Sequence, residues 1–301
     1  MLEIMERYYE IQLSESYNGE LNKLFEEWKK SYPADAENRF CQDGLVVKYK
    51  EGYDVNMKWK ESQRKIMFLL KDCPDKWGYD TRRLLTGYED KEDSLIYAQN
   101  TRNLKSLRKG GKGDTGFFRN IATILHGLYN MTEENKGKEL TDEALNHDKS
   151  CSTFNEVPFA YIECKKLAGK TYCGAASLNA AMRKDKEFIA KEIDILKPNM
   201  IVCCDNNGNI FDNIVNYYFL GTIPDEDFRW DYEYELEDGT KCGFRCKLYY
   251  YKEKGMLLFN SYHPTSLGKA KWKIYEKVFS PLRQFFSRYG TFDIVSDTDV
   301  K

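Results

Sequence analysis

Four short apolar runs, each closed by a polar or proline-bearing stop and each followed by a helical pattern, constrain this chain more than any other feature. They are Lys65-Ile-Met-Phe-Leu-Leu70, Val157 to Cys164, Met200-Ile-Val-Cys-Cys204 and Met256-Leu-Leu-Phe259. Continuous apolarity over four to eight residues suits strands covered on both faces, as in a parallel sheet flanked by helices. Helical spacing lies between the runs: Ile121, Ile124, Leu125 and Leu128; the small-residue stretch Gly174 to Met182 and a helix through Ile195 that Pro198 ends; then Ile210 to Tyr218. Strands alternating with helices predict an α/β fold, a three-layer α/β/α sandwich with a mainly parallel central sheet.

The flanks extend that core. Leu21, Leu24, Phe25 and Trp28 recur at helical spacing before Pro33, which predicts an N-terminal helical extension over residues 1–60. Residues 228–251 alternate around Asp238-Gly239, a hairpin signal. Thr132 to Ser150 is polar and reads as an exposed connection, and a last helix is expected from Lys271 to about Arg288. With no interior linker and no internal repeat, the 301 residues read as a single domain with its core at about 64–285.

Composition narrows the function classes. Forty-six lysines and arginines against 48 aspartates and glutamates leave a net charge of −2, so any surface for a polyanion must be local. One stretch qualifies: residues 102–120, RNLKSLRKGGKGDTGFFRN, set Lys109, Lys112 and Arg119 among glycines just before a helical pattern, where backbone N–H groups and basic side chains suit phosphate. No apolar run is long enough to span a membrane, and the acidic N-terminus lacks the features of a secretion signal, so a cytoplasmic protein with no membrane partner is expected. The nine cysteines are scattered and odd in number, which predicts reduced thiols. The pair Cys242 and Cys246 lacks a second ligand pair, and only His126, His147 and His263 could assist, so neither metal nor other cofactor is expected.

The strand ends carry the chemistry. Lys71-Asp72-Cys73-Pro74-Asp75, Glu163-Cys164-Lys165-Lys166 and Ser261-Tyr262-His263-Pro264-Thr265-Ser266 each follow an apolar run. In a parallel sheet these tips share one edge, the edge where open α/β sheets bind ligands. A carboxylate, a second carboxylate and a histidine would then surround one crevice.

These tips resemble the motifs of the uracil-DNA glycosylase superfamily. Lys71-Asp72-Cys73-Pro74 stands where that superfamily has a strand followed by a Gly-x-x-Pro turn with its catalytic acid or amide. His263-Pro264-Thr265-Ser266 stands at its final His-Pro-Ser, and Ile195 to Cys204 resembles the helix, proline and strand between them. There are departures. Lys71 replaces the motif glycine, and Cys73 occupies the slot before proline where one branch keeps an aspartate, while Asp72 matches another branch's glutamate. That branch holds an iron–sulfur cluster through four cysteines, and Cys41 alone upstream cannot supply its paired N-terminal ligands, so no cluster is implied.

The resemblance implies a monofunctional DNA glycosylase acting on an extruded nucleotide of DNA, expected to be double-stranded, and leaving an abasic site. Asp72, with Asp75 as its alternate, would stabilise the sugar cation and orient water. His263 would donate to pyrimidine O2 as charge develops there. Pro264, Thr265 and Ser266 would hold the adjacent phosphate, with Leu267 as a wedge into the stack, and Phe117 or Phe118 would stack on the base.

At the second strand the superfamily usually reads the base edge with asparagine, and here Glu163 takes that place. An ionised carboxylate only accepts hydrogen bonds, which disfavours uracil O4 and suits the N4 donor of cytosine. Superfamily members of the phage-defence type remove α-glucosylated hydroxymethylcytosine, so a modified cytosine and an antiviral role are the expected reading. A uracil or damaged-base repair enzyme and a non-catalytic nucleic-acid binding module are the alternatives. An unrelated α/β hydrolase is disfavoured by the missing Gly-x-Ser-x-Gly elbow.

Overall fold

The computed structural model describes residues 2–48, 52–74, 80–84, 115–130, 147–169, 173–205, 207–235, 241–264 and 282. Seven strands form one mixed sheet: β1 (Gly44–Leu45), β2 (Ile66–Pro74), β3 (Ala160–Gly169), β4 (Met200–Cys204), β5 (Arg229–Glu235), β6 (Lys241–Tyr251) and β7 (Met256–Ser261). Their order across the sheet is β1-β3-β2-β4-β7-β6-β5. The four central strands β3, β2, β4 and β7 run parallel, while β1, β6 and β5 are antiparallel to their inner neighbours. The chain moves from β2 outward to β3, then crosses back to the far side of β2 for β4. Order therefore reverses between β2 and β4, and the crevice of such a sheet opens at the C-terminal ends of those two strands.

Each central strand is apolar up to its C-terminal end because helices cover both of its faces. Phe68, Leu70, Tyr161, Val202, Cys204 and Phe259 point to one side, where they pack with Phe117, Ile121, Ile124, Leu125 and Leu128 of helix α5 (Thr115–Asn130) and with Phe154 of α6 (His147–Glu156). Met67, Leu69, Ile162, Cys164, Ile201, Cys203 and Leu258 point to the other. There they meet α2 (Ser16–Lys29), α7 (Ala175–Lys184), α8 (Lys186–Leu196) and α9 (Asn209–Tyr217). The remaining helices are α1 (Leu2–Ser14), α3 (Val55–Glu61) and α4 (Thr81–Leu84). Among the described residues no helix is long and apolar enough to cross a membrane.

Residues 1–60 are more than a helical extension. Leu21, Phe25 and Trp28 of α2 are fully buried in the second core cluster, and Gly44–Leu45 pairs with β3 as an added edge strand. Asn18 ties the two together: its Nδ2 donates to Leu45 O and its Oδ1 accepts from Leu45 N. The expected exposed connection from Thr132 to Ser150 needs correction at its end. From His147 the chain is already helical, and Ser150 is buried. The few inward side chains of α6, Phe154 and Thr153 among them, lie within a polar sequence, and Thr153 Oγ1 meets His126 Nδ1 of α5 at 2.5 Å. The expected helix over 271–288 lies outside the described residues, apart from the helical and buried Leu282.

Candidate active site

The register sets the site. Leu69, Ile162, Cys203 and Asn260 form one row across the central strands, and one residue on, Glu163, Leu70, Cys204 and Ser261 form the next. Two residues further Lys165 stands opposite Asp72, and the same count past Ser261 reaches His263. Because side chains return to one face every second residue, Glu163, Ser261, Asp72 and Lys165 belong to the face that α5 covers, and His263, past the end of β7, meets that helix through Phe117. Ring contacts agree: Phe117 of α5 lies 6.5 Å from the Tyr161 ring and 5.6 Å from the His263 ring, centroid to centroid. Asp72 and His263 thus lie on the same C-terminal edge of the sheet, at the end of β2 and just past the end of β7, with β4 between those strands. The switch point lies between them.

Helix α5 fixes the far wall. Asn120 Nδ2 donates to Pro264 O at 2.6 Å, pinning the turn after His263 to the helix. Asp72 Oδ2 accepts from Lys165 Nζ at 3.2 Å, and Lys165 Nζ also donates to Leu167 O at 2.7 Å. Gly169 makes room for this pair, since a Cβ there would stand 2.9 Å from both Asp72 Oδ2 and Lys165 Nζ. On the opposite face of the same edge, Lys71 pairs with Asp205 at 2.9 Å, bridging the ends of β2 and β4. Asp205 also accepts from the backbone and side-chain N–H groups of Asn209 at the start of α9. Burial alone would raise the Asp205 carboxyl, but the hydrogen bonds from Lys71 and Asn209 outweigh it and hold the pKa below the usual aspartate value.

His263 is neutral at physiological pH. Burial, reinforced by the positive charge of Lys71, pushes its pKa down to about 4 against a weaker opposing pull from Asp205. A neutral imidazole still has an N–H to donate, and it does so without first losing a proton.

Glu163 overturns one sequence expectation. It is 1% exposed; Tyr161 Oη donates to its Oε1 at 2.8 Å, and its backbone N–H donates to Asp43 Oδ2 at 2.7 Å. Burial, together with the negative charges of Asp43 and Asp72, raises its pKa to about 8 against the Tyr161 hydrogen bond and Lys166. The carboxyl is therefore mainly protonated at pH 7 and carries a donor as well as acceptors. The expectation that it can only accept, and so disfavours uracil, rested on the ionised form and does not hold. The neighbouring lysines do not neutralise it: Lys165 is bonded to Asp72, and Lys166 lies on the other face, bonded to Asp43 and Glu192.

Two buried polar atoms on this face, Glu163 Oε2 and Ser261 Oγ, have no hydrogen-bond partner among the described residues. They sit in the same row. An unmet buried polar group in a folded protein calls for an explanation, such as a strained, catalytic or ligand-binding role.

Sequence reasoning missed Asp43, Tyr161 and Asn120 as parts of this site, and it gave no individual role to Lys165 and Ser261, which lie within the strand tips it singled out. Of the other residues it named, Pro264 is buried beside Asn120, and Phe117 is a core side chain in contact with the Tyr161 and His263 rings. Phe118 and Arg119 lie in the first turns of α5, with their side chains outside the description. Asp75, Lys109, Lys112, Thr265, Ser266 and Leu267 lie outside the described residues.

Six cysteines, Cys41, Cys73, Cys164, Cys173, Cys203 and Cys204, are buried free thiols. Among the described residues no three histidine, cysteine or acidic side chains converge as a metal-binding set. No known protein family, curated protein or solved structure matches this chain.

Proposed function

We propose that this protein is a monofunctional DNA glycosylase, a divergent relative of the uracil-DNA glycosylase superfamily, that hydrolyses the N-glycosidic bond of an extruded pyrimidine. The observation that supports this reading is that Asp72, at the end of β2, and His263, just past the end of β7, lie on one edge of the sheet, astride the switch point. Glu163 lies one step deeper.

In this reading the C1′–N1 bond breaks with its electron pair leaving on the base, so negative charge gathers at O2 and positive charge at the sugar. His263 donates its N–H to O2, and Asp72 faces the cationic sugar and orients the water whose oxygen adds to C1′. The water proton passes to Asp72 and then to solvent, and the base departs after protonation. A donor that strengthens as the oxyanion forms typically contributes 10²–10³ in rate. Positioned acid–base groups contribute about 10²–10⁴. The DNA phosphates would fall to the basic segment 102–120 and to Pro264, Thr265, Ser266 and Leu267.

The substrate proposed is a cytosine or modified cytosine, including α-glucosyl-hydroxymethylcytosine of phage DNA. A protonated Glu163 can donate to N3 and accept from N4–H. The same acid can accept from uracil N3–H and donate to O4, so the protonation state of Glu163 supports a uracil repair enzyme as the second reading.

The test is an excision assay on duplexes carrying uracil, cytosine, hydroxymethylcytosine or its α-glucosylated form, with abasic sites revealed as alkali-labile breaks. Breaks at one modified cytosine, lost by at least about 10²-fold in Asp72→Asn and His263→Ala proteins, support the first reading. Breaks at uracil favour the second. DNA binding without breaks at any base removes the enzymatic reading.

A further inference from the structure

We infer that Glu163 meets the extruded base as an undissociated carboxylic acid, its Oε2 donating to an acceptor on the Watson–Crick edge while the same carboxyl accepts from the adjacent N–H. This deepens the glycosylase reading and rests on it. The ligand class is a pyrimidine that offers a neighbouring donor and acceptor, N4–H with N3 or O4 with N3–H.

The geometry leaves Glu163 this role. Oε1 is held by Tyr161 Oη at 2.8 Å and the backbone is fixed by Asp43, so the side chain is placed and oriented before any base arrives. Oε2 is the atom left over, buried and without a hydrogen-bond partner among the described residues. Charged and titratable groups surround it from several elements. From its own strand come Tyr161, Cys164 and Lys166; from β2, Asp72; from β4, Cys204; from the segment before β1, Cys41 and Asp43. Asp43 and Asp72 oppose a further negative charge there, while the buried thiols stay neutral. Both lysines are committed to other carboxylates, Lys165 to Asp72 and Lys166 to Asp43 and Glu192. A fully buried carboxyl without a cation of its own keeps its proton, and the raised pKa of about 8 agrees.

A neutral acid is the carboxyl counterpart of a side-chain amide, with one donor and one acceptor side by side. Glutamine is therefore the conservative replacement. Ionisation would remove the donor and set a negative charge against N3 or O4.

The experiment measures single-turnover excision from pH 6 to 9.5 on the duplex that the base panel shows to be cleaved, for wild-type, Glu163→Gln and Tyr161→Phe proteins. The wild-type rate should fall above about pH 8, approaching tenfold per pH unit as the undissociated fraction declines. Glu163→Gln should lose that alkaline fall, its rate staying level between pH 7 and 9.5. Tyr161→Phe removes a hydrogen bond that favours the ionised form, so its fall should begin at higher pH; this arm decides the matter if Glu163→Gln does not fold.

A wild-type rate that is flat or rises between pH 7 and 9.5 overturns the inference. So does an alkaline fall unchanged in both variants, and either result leaves the glycosylase reading standing. Absence of excision from every duplex overturns that reading, and this inference with it.

Discussion

Lys165 Nζ donates to Asp72 Oδ2 at 3.2 Å across two parallel strands that pair these same two residues in register. The ammonium holds the carboxylate at the crevice edge while both side chains remain partly exposed, 20% for Lys165 and 9% for Asp72. A pair this open adds only about 1 kcal/mol or less to stability, so its value lies in orientation. Lys165→Met should leave the midpoint of urea unfolding nearly unchanged and lower the excision rate roughly tenfold, with KM little affected. A rate equal to wild-type would show that Asp72 needs no such hold.

His263 sets the acid side of the pH profile. Its folded pKa of about 4 lies below the ordinary histidine value of 6.5, so the imidazole stays neutral down to about pH 5 and excision should show no histidine step between pH 5.5 and 7. Lys71→Met removes the positive charge that helps hold the value down and should move the acid limb upward. The sign for stability follows from linkage: the unfolded chain takes up this proton below about 6.5 and the folded chain only near 4, so folding weakens as pH falls between those values. A pH titration of the His263 ring protons by NMR checks both statements.

The strands were legible because burial on both faces leaves a run of apolar residues that nothing else in the sequence imitates, and the edge they share followed from their being parallel. Glu163 was legible in place but not in state. The apolar run ends at Cys164, whereas the strand continues to Gly169 and its alternation sends Lys165 and Lys166 to opposite faces. What protonates Glu163 is burial beside Asp43 and Asp72. Asp43 lies 120 residues away in sequence, and no local pattern announces that contact. Helix α6 was hidden for a similar reason, since its buried side chains are few within a polar stretch.

The Lys166 ammonium bonds both Asp43 oxygens at 2.6 Å and Glu192 Oε1 at 3.0 Å, with all three side chains at most 1% exposed. Burial lowers the lysine pKa, but the two carboxyls outweigh it and the net shift is upward. Removing one partner strands a buried charge, so Asp43→Ala should cost about 3–5 kcal/mol in urea unfolding. It should also slow excision, because Asp43 fixes the Glu163 backbone. Replacing the triad together, Lys166→Met with Asp43→Leu and Glu192→Leu, should recover most of the stability but not the rate. Equal stability losses in the single and triple variants would contradict this account.

Lys48 is buried at 2% exposure with no carboxylate partner among the described residues: its Nζ donates to Phe154 O at 2.5 Å and lies 4.5 Å from the centre of the Phe159 ring. Burial pushes its pKa down from 10.5 to about 7. In the unfolded chain the amine protonates below about 10.5, whereas in the folded protein it does so only near 7. Stability should therefore fall as pH drops from about 10.5 to 7 and level off below. At about 1.4 kcal/mol per pKa unit the penalty near pH 6.5 is on the order of 5 kcal/mol. Lys48→Met removes it but leaves the Phe154 carbonyl unsatisfied, a cost of about 1–3 kcal/mol. The net expectation is a gain on the order of 2 kcal/mol at pH 6.5 that shrinks and reverses toward pH 10, read from urea unfolding at both pH values. A loss of stability at pH 6.5 would mean that the carbonyl and ring contacts carry the lysine as a cation.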